Sequence, residues 1–340
     1  MYKIIRTILF LFDAEKVHVL SLNMMSLFSS LGLLKLFIKN PVDAPVTVMG
    51  IKFPNAVGLA AGLDKNARHI EALSQCGFGF IEVGTVTPLA QSGNDKPRLF
   101  RLPKDEAIIN RMGFNNDGVE ALVQHAKRNQ GKCILGINIG KNKITPLDNA
   151  VDDYLICMQQ VYAYADYITI NISSPNTPGL RELQHGDGLS ELLSQLKDKQ
   201  SELHHTTQRY VPLAVKIAPD LSVDEINDIA SRLITAKIDA VIATNTTNTR
   251  PSTLIHTDIA GEIGGLSGKP VFEVSNTVLK HLVTALKGKI PIIAAGGIAS
   301  PADAIEKIHA GASLVQIYTG FIYSGPQLIH DCALAIKNHS

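Results

Sequence analysis

From residue 55 onward the chain repeats one pattern: a short apolar run, a stop rich in Gly or Asn, and then apolar residues at helical spacing. The apolar runs fall at 56–61, 80–85, 134–139, 167–172, 213–218, 240–245, 291–296 and 314–318. Strands covered on both faces need such nearly continuous hydrophobicity, and parallel strands need crossovers that are usually helical. Amphipathic stretches at 153–164, 189–203, 223–234, 272–286, 302–309 and 327–336 supply them. Eight units of this kind predict an α/β fold, a TIM (β/α)8 barrel with its chemistry at the C-terminal strand ends. A doubly wound open sheet is the structural competitor. Neither G-x-G-x-x-G nor G-x-x-x-x-G-K-[ST] occurs in the chain, so the usual nucleotide-binding reasons to prefer it are missing.

Residues 1–39 follow another pattern. They are very apolar, yet Lys3, Arg6, Asp13, Glu15, Lys16, Lys35 and Lys39 interrupt them too often for a membrane-spanning helix, which needs about 20 consecutive apolar residues. The run 7–12 is short for a signal peptide, and acids follow it where a small-residue cleavage site belongs. Five cations against two acids beside apolar bulk predict an amphipathic helix pair lying on a bilayer; a helical cap packed on the main domain is the other reading. The domain organisation is then 1–39, a membrane-associating helical segment, and 40–340, the catalytic barrel. Residues 40–45 read as a Pro-broken linker and 46–53 as a short hairpin.

Composition agrees with this class. A hydrophobic content of 45% with 26 glycines fits a parallel α/β protein, and a net charge of +1 provides no field to gather nucleic acid. A small-molecule ligand is expected instead. The 4 cysteines form no C-x-x-C pair, which suits a reduced compartment, and the 11 histidines show no metal-ligand spacing, so no metal is expected.

The strand ends carry the candidate chemistry. Lys65 follows the first run; Thr85, Asn138, Asn171 to Ser174, Lys216, Thr244 to Thr246, Gly296–Gly297 and Tyr318–Thr319 end the others. Turns after strands seven and eight are where such barrels often hold phosphate, and paired glycines let backbone N–H groups approach an anion. Lys65, Lys216 and the amides Asn110, Asn138, Asn171, Asn176 and Asn245 suit a planar ligand rich in carbonyl and N–H groups. The stretch YITINISSPNTPGLR, 167–181, is the centre of the set, although an Asn/Ser/Pro turn is also a common conformational device.

Taken together, GLAAGLDK (58–65), IEVGTVTP (81–88), NDKPRLFRL (94–102), NRMGFNN (110–116), GINIGKNK (136–143), INISSPNTPGLR (170–181), VKIAPDL (215–221), ATNTT (243–247), GGLSG (264–268), AAGGI (294–298) and LVQIYTGF (314–321) resemble the quinone-dependent, class 2 dihydroorotate dehydrogenases over nearly the whole chain. The resemblance implies FMN, oxidation of (S)-dihydroorotate to orotate in pyrimidine (UMP) biosynthesis, and a membrane quinone as acceptor. It implies FMN contacts at Ala61, Gly62, Leu63, Asp64, Lys65, Thr85, Asn138, Asn171, Lys216, Thr244, Gly268, Gly297, Tyr318 and Thr319. It places the pyrimidine against Lys65, Asn110, Arg111, Met112, Gly113, Phe114, Asn171, Asn176, Asn245 and Thr246, with Ser174 as the catalytic base. Soluble class 1 relatives use cysteine there, and none of the cysteines of this chain lies in that loop.

A serine is a poor base at neutral pH and needs a route for its proton, for which Thr177 or a water is the nearest candidate. Residues 177–188, polar and glycine-containing, read as a lid that excludes water. The insert 247–264 matches no recognised motif. A peripheral, monomeric protein on the cytoplasmic face of the inner membrane is expected. Two other readings fit the pattern: a barrel isomerase or lyase acting on a phosphorylated metabolite, and a non-catalytic membrane-peripheral binding protein.

Overall fold

Eight parallel strands hydrogen-bond into a closed ring in the computed structural model, which describes residues 2–339. In chain order, and numbered one to eight, they are Val57–Leu59, Phe80–Val86, Leu135–Ile139, Tyr167–Asn171, Leu213–Ile217, Ala240–Ala243, Ile292–Ala295 and Leu314–Ile317. Strand eight closes on strand one with Val315 opposite Val57. Each expected run is present within one or two residues of its expected ends. Most are shorter than the apolar run because the last residues leave the ladder to enter the loops above it, as Thr244 and Asn245 do after strand six.

Helices cover the outside, as the sequence pattern expects. Phe272–Leu286 coincides with its predicted span. Val223–Thr235 starts where Ser222 and Glu225 form a capping box, and Pro301–His309 starts on the equivalent pair Ser300 and Asp303 with proline in its first turn. Inside the barrel, Gly58 and Gly136 leave room for aromatic rings; a Cβ on either would lie 2.2 Å from Phe80 or Tyr167. Phe53, on the antiparallel hairpin Val46–Val48 and Ile51–Phe53, packs edge-on to Phe80 at 5.1 Å and seals the N-terminal end of the barrel.

Three features go beyond the expected pattern. Leu99–Leu102, Ala107–Asn110 and Gly265–Gly268 form an antiparallel sheet beside the mouth, over a small core of Leu102, Ala107, Ile109, Leu254, Leu266 and Val271. The insert 247–264 folds onto this sheet. Arg250 donates to the carbonyls of Ala260 (2.9 Å), Glu262 (2.9 Å) and Gly264 (2.6 Å), while Asp105 accepts from the backbone of Ile255 (2.7 Å) and His256 (3.1 Å). The expected polar loop 177–188 is instead a 3-10 turn, Leu180–Gln184, running into the long helix Gly186–Thr207. Its apolar residues explain the difference, since Leu180 and Leu183 are buried and pin the turn down.

The N-terminal segment forms helices Tyr2–Leu9 and Ala14–Ser30, then a 3-10 turn Leu33–Leu36. One side docks on the barrel. Tyr2 Oη donates to Ile322 O (2.6 Å), Arg6 to Tyr323 O (2.7 Å), and Glu15 pairs with Arg98 at 2.8 Å. The other side leaves Ile4, Ile8, Leu11, Phe12, Leu36 and Phe37 exposed. No helix among the described residues is long and apolar enough to cross a membrane.

Candidate active site

A cavity of about 1100 Å³, counting its mouth, opens at the C-terminal strand ends. Strand one and its loop contribute Ala61, Gly62 and Lys65; strand two contributes Thr85; and the segment leading from the side sheet contributes Asn110, Met112, Gly113 and Phe114. Asn171, Ser174 and Asn176 come from strand four, Lys216 from strand five, Thr244, Asn245 and Thr246 from strand six, and Gly268, Gly297, Tyr318 and Thr319 complete the wall. Residues from all parts of the barrel thus converge, because each strand end points the same way.

Beneath the cavity is a buried polar network. Thr85 Oγ1 donates to Asn138 Oδ1 at 2.6 Å, and Asn171 Nδ2 donates to Thr85 Oγ1 at 2.9 Å. Asn138 Nδ2 donates in turn to Glu82 at 2.8 Å, and that carboxylate also accepts from Tyr167 (2.9 Å) and Gln316 (2.7 Å). Burial and the adjacent Glu82 hold the Tyr167 hydroxyl well above its ordinary pKa, so it remains a donor. These bonds fix the amide orientations above them and leave one buried acceptor, Gln316 Oε1, without a partner.

The two cations of the wall have no hydrogen bond or ion pair within the described residues. Asp64 fixes the loop that carries Lys65, its carboxylate accepting from the backbone of Arg68 (3.0 Å) and His69 (2.7 Å). Burial pulls Lys65 down to about 8, with Glu15 opposing. Lys216 is likewise held below its ordinary value by burial, and Glu82 opposes that shift. His18 of the second N-terminal helix is pulled down to about 3 by burial, with the charge of Lys65 next in effect, and is neutral.

Above the network sit the amides and the serine. Asn245 Nδ2 donates to Ser173 Oγ at 3.0 Å, and Asn176 Nδ2 donates to Asn110 O at 3.2 Å, joining the strand-four and side-sheet loops. Ser174 is buried, and its Oγ accepts from Asn176 N at 3.2 Å, a bond that aims it without an ionisable partner. Thr177 is also buried three residues on. At the opposite end Thr319 Oγ1 donates to Ser267 Oγ at 2.8 Å. Gly297 adopts φ of 81°, and a Cβ there would lie 2.4 Å from Phe272 Cα, so only glycine allows this turn to rest on the helix start.

Four expected contact residues lie outside the lining. Asp64 acts through its loop, Leu63 is packed in the core, and Asn138 lies beneath the wall. Arg111 turns away to Glu262 at 2.6 Å and stacks over Phe100. Conversely, Ser267, Val271, Ile298 and Gln316 line the cavity without having been anticipated. Strand alternation does signal Gln316, which shares a face with Tyr318, and a lone Glu82 in an apolar run signals the buried network.

The family model described as Dihydroorotate dehydrogenase matches residues 44–339. The chain is 57% identical over 338 residues to the dihydroorotate dehydrogenase (quinone) of Saccharophagus degradans, covering 99% of each chain. It is 59% identical over 331 residues to the protein of the same name from Idiomarina loihiensis, covering 97% of this chain and 98% of that one. Among solved structures it is similar to DHODH from Eimeria tenella in complex with ferulenol, with a TM-score of 0.87 and 38% identity over 94% of this chain and 90% of that one.

Proposed function

The chain belongs to the dihydroorotate dehydrogenase family, and from that premise we propose how its cavity carries out the reaction. The enzyme oxidises dihydroorotate to orotate with a quinone as electron acceptor, in pyrimidine biosynthesis. Relatives of this identity and coverage do not favour an isomerase or lyase.

One observation carries the reading of the site. Lys216, buried, and Lys65, half-buried, face the same cavity, and neither ammonium has a hydrogen bond or ion pair among the described residues. Buried charges without partners are costly, so the cavity is built for ligands that bring acceptors or negative charge. FMN fits this demand. Gln316 Oε1 is buried without a partner, and Gly268, Gly296 and Gly297 present bare backbone beside Thr319. Lys216, Thr85, Asn171 and Thr244 would hold the ring system, and Gly268, Gly297 and Thr319 the phosphate. Bound FMN supplies the acceptor for the hydride.

The chain's own residues supply the rest. Lys65 pairs with the substrate carboxylate, while Asn110, Asn171, Asn176 and Asn245 bond the carbonyl and N–H edges of the pyrimidine. Ser174 Oγ takes the proton from the ring carbon next to the one that gives up hydride. The bond from Asn176 N holds that oxygen in place, and the proton leaves toward Thr177 or a water. The segment 177–188, pinned by the buried Leu180 and Leu183, would serve as the lid that keeps bulk water away.

The N-terminal helices serve the acceptor side. Their exposed Ile4, Ile8, Leu11, Phe12 and Leu36, with the local excess of cations, support a peripheral seat of residues 1–39 on the cytoplasmic face of the inner membrane. A lipid-soluble quinone would enter between these helices and the barrel, where His18 stands near Lys65. We take the protein as a monomer, with 40–340 as the catalytic domain.

The direct test is optical. The purified protein is expected to be yellow and to bleach on anaerobic addition of dihydroorotate; a colourless protein, or one whose colour persists, would refute this reading.

A further inference from the structure

Behind the strand-seven turn lies a buried ammonium that the scheme above does not use. Lys307, on the helix Pro301–His309, is fully buried, and its Nζ donates to Ser275 Oγ and Asn276 Oδ1, each at 2.8 Å. It also stands over the Phe272 ring, 5.0 Å from the centroid. No carboxylate makes an ion pair with it among the described residues; the neighbouring Glu306 accepts from Asn276 Nδ2 at 2.9 Å instead. Burial pulls Lys307 down to about 8, with Glu306, Asp303 and Glu273 opposing, which leaves it charged at neutral pH.

The residues it touches frame the turn. Ser275 Oγ is within hydrogen-bond distance of Gly296 O (3.1 Å) and Phe272 O (2.9 Å), and Gly297 rests directly on Phe272. Among the described residues the cavity wall carries cations only at Lys65 and Lys216, and the strand-seven and strand-eight turns carry none. Lys307 is hydrogen-bonded only to neutral groups and meets Glu306, Asp303 and Glu273 only through longer-range attraction, so a further anion in the same low-dielectric region would add to its balance. An apolar side chain of similar length would otherwise serve helix packing at least as well.

We infer that Lys307 is a positioning residue for the phosphate of the cofactor: through Ser275 it holds the Gly296–Gly297 turn and sets a positive charge behind it. This rests on the FMN reading of the cavity. The role predicts discrimination between flavins with and without phosphate, which a residue that merely joins two helices would not provide.

The test is equilibrium dialysis of the full-length protein against FMN or riboflavin, with retained flavin measured by absorbance. Lys307→Met is expected to weaken FMN about tenfold or more, as loss of a charged hydrogen-bonding group does, while riboflavin changes by less than about twofold. Ser275→Ala, which keeps the ammonium but cuts its link to the turn, is expected to show the same FMN-selective loss at smaller size, and carries the test alone if Lys307→Met does not fold. Equal losses for both flavins, or unchanged FMN binding, would overturn the inference. A wild-type protein that retains neither flavin would overturn the cofactor reading and the inference with it.

Discussion

Arg181 and Asp220 tie two strand-end loops together, with Nη1 of the arginine 2.8 Å from Oδ2 of the aspartate. The same guanidinium donates through Nε to Ser173 O at 3.2 Å and through Nη2 to Thr246 O at 3.0 Å. Asp220 also accepts from the Thr247 hydroxyl and from Asn248 N (3.1 Å). One ion pair therefore sets the loops after strands four, five and six, and Ser173 adjoins the proposed base.

Arg181→Ala is expected to lower kcat by about 10- to 100-fold, the scale of a misplaced catalytic group, with flavin content unchanged. Arg181→Lys should recover only part of this, because an ammonium cannot reproduce the planar fork. Steady-state kinetics and the absorbance ratio of flavin to protein check both. Activity within about twofold of wild type would show that the latch does not govern Ser174.

Ser174→Ala removes the proposed proton acceptor but no ligand of the pyrimidine edge. Flavin reduction by dihydroorotate is expected to slow by about 10²- to 10⁴-fold, the usual contribution of a positioned base, with FMN retained. Anaerobic stopped-flow absorbance gives the rate directly, and near-normal reduction would remove Ser174 from the mechanism.

Lys65 should give the reaction a pH limit on the alkaline side. Its pKa in the folded chain is lowered to about 8, so the ammonium that attracts the substrate carboxylate is present below that pH and lost above it. The value of kcat/KM is expected to fall as pH rises through about 8, and the remaining activity of Lys65→Met to lack this limb. Stability should move the other way. The unfolded chain holds the Lys65 proton up to about 10.5, so between roughly 8 and 10.5 this lysine's destabilising effect is relieved as pH rises. Denaturant midpoints across that range, wild type against Lys65→Met, isolate the contribution.

Deleting residues 1–39 is expected to release the protein from membranes while leaving a folded barrel, since the closed ring of strands lies outside the segment, although the core loses Leu22 and Leu34 and bonds such as Arg6 to Tyr323 O and Ser26 to His69 (2.7 Å) are lost. Arg98 would lose Glu15, so a modest fall in thermal midpoint should accompany the release. Co-sedimentation with anionic lipid vesicles checks the first point and calorimetry the second. A truncated protein that still sediments would place the membrane contact elsewhere.

The barrel was legible because its signals are local. Each strand is a run of apolar residues, closed in all but strand five by Gly, Asn or Thr, and helix starts such as Ser222 with Glu225 lie within a few positions of the chain. The side sheet was not foreseen because Gly265–Gly268 pairs with Ala107–Asn110 across more than a hundred residues, and its short strands carry little periodicity of their own. The turn Leu180–Gln184 looked like open loop because its polar residues outnumber Leu180 and Leu183, whose burial decides the structure.

For the site, the chain by itself determined which polar residues stand at strand ends, and that a serine rather than a cysteine occupies the loop after strand four. A strand end is local information, and so is the order in which the ends occur. Tertiary structure alone decided which of those residues face the cavity: Lys65 and Lys216 do, Arg111 turns to Glu262, and Asn138 lies below with Glu82, Tyr167 and Gln316. It also decided that Lys307 lies behind Ser275 and that Arg181 reaches Asp220. The physical reason is the same in each case: side-chain direction and burial depend on partners far away in the chain, which only the closed barrel brings within hydrogen-bonding distance.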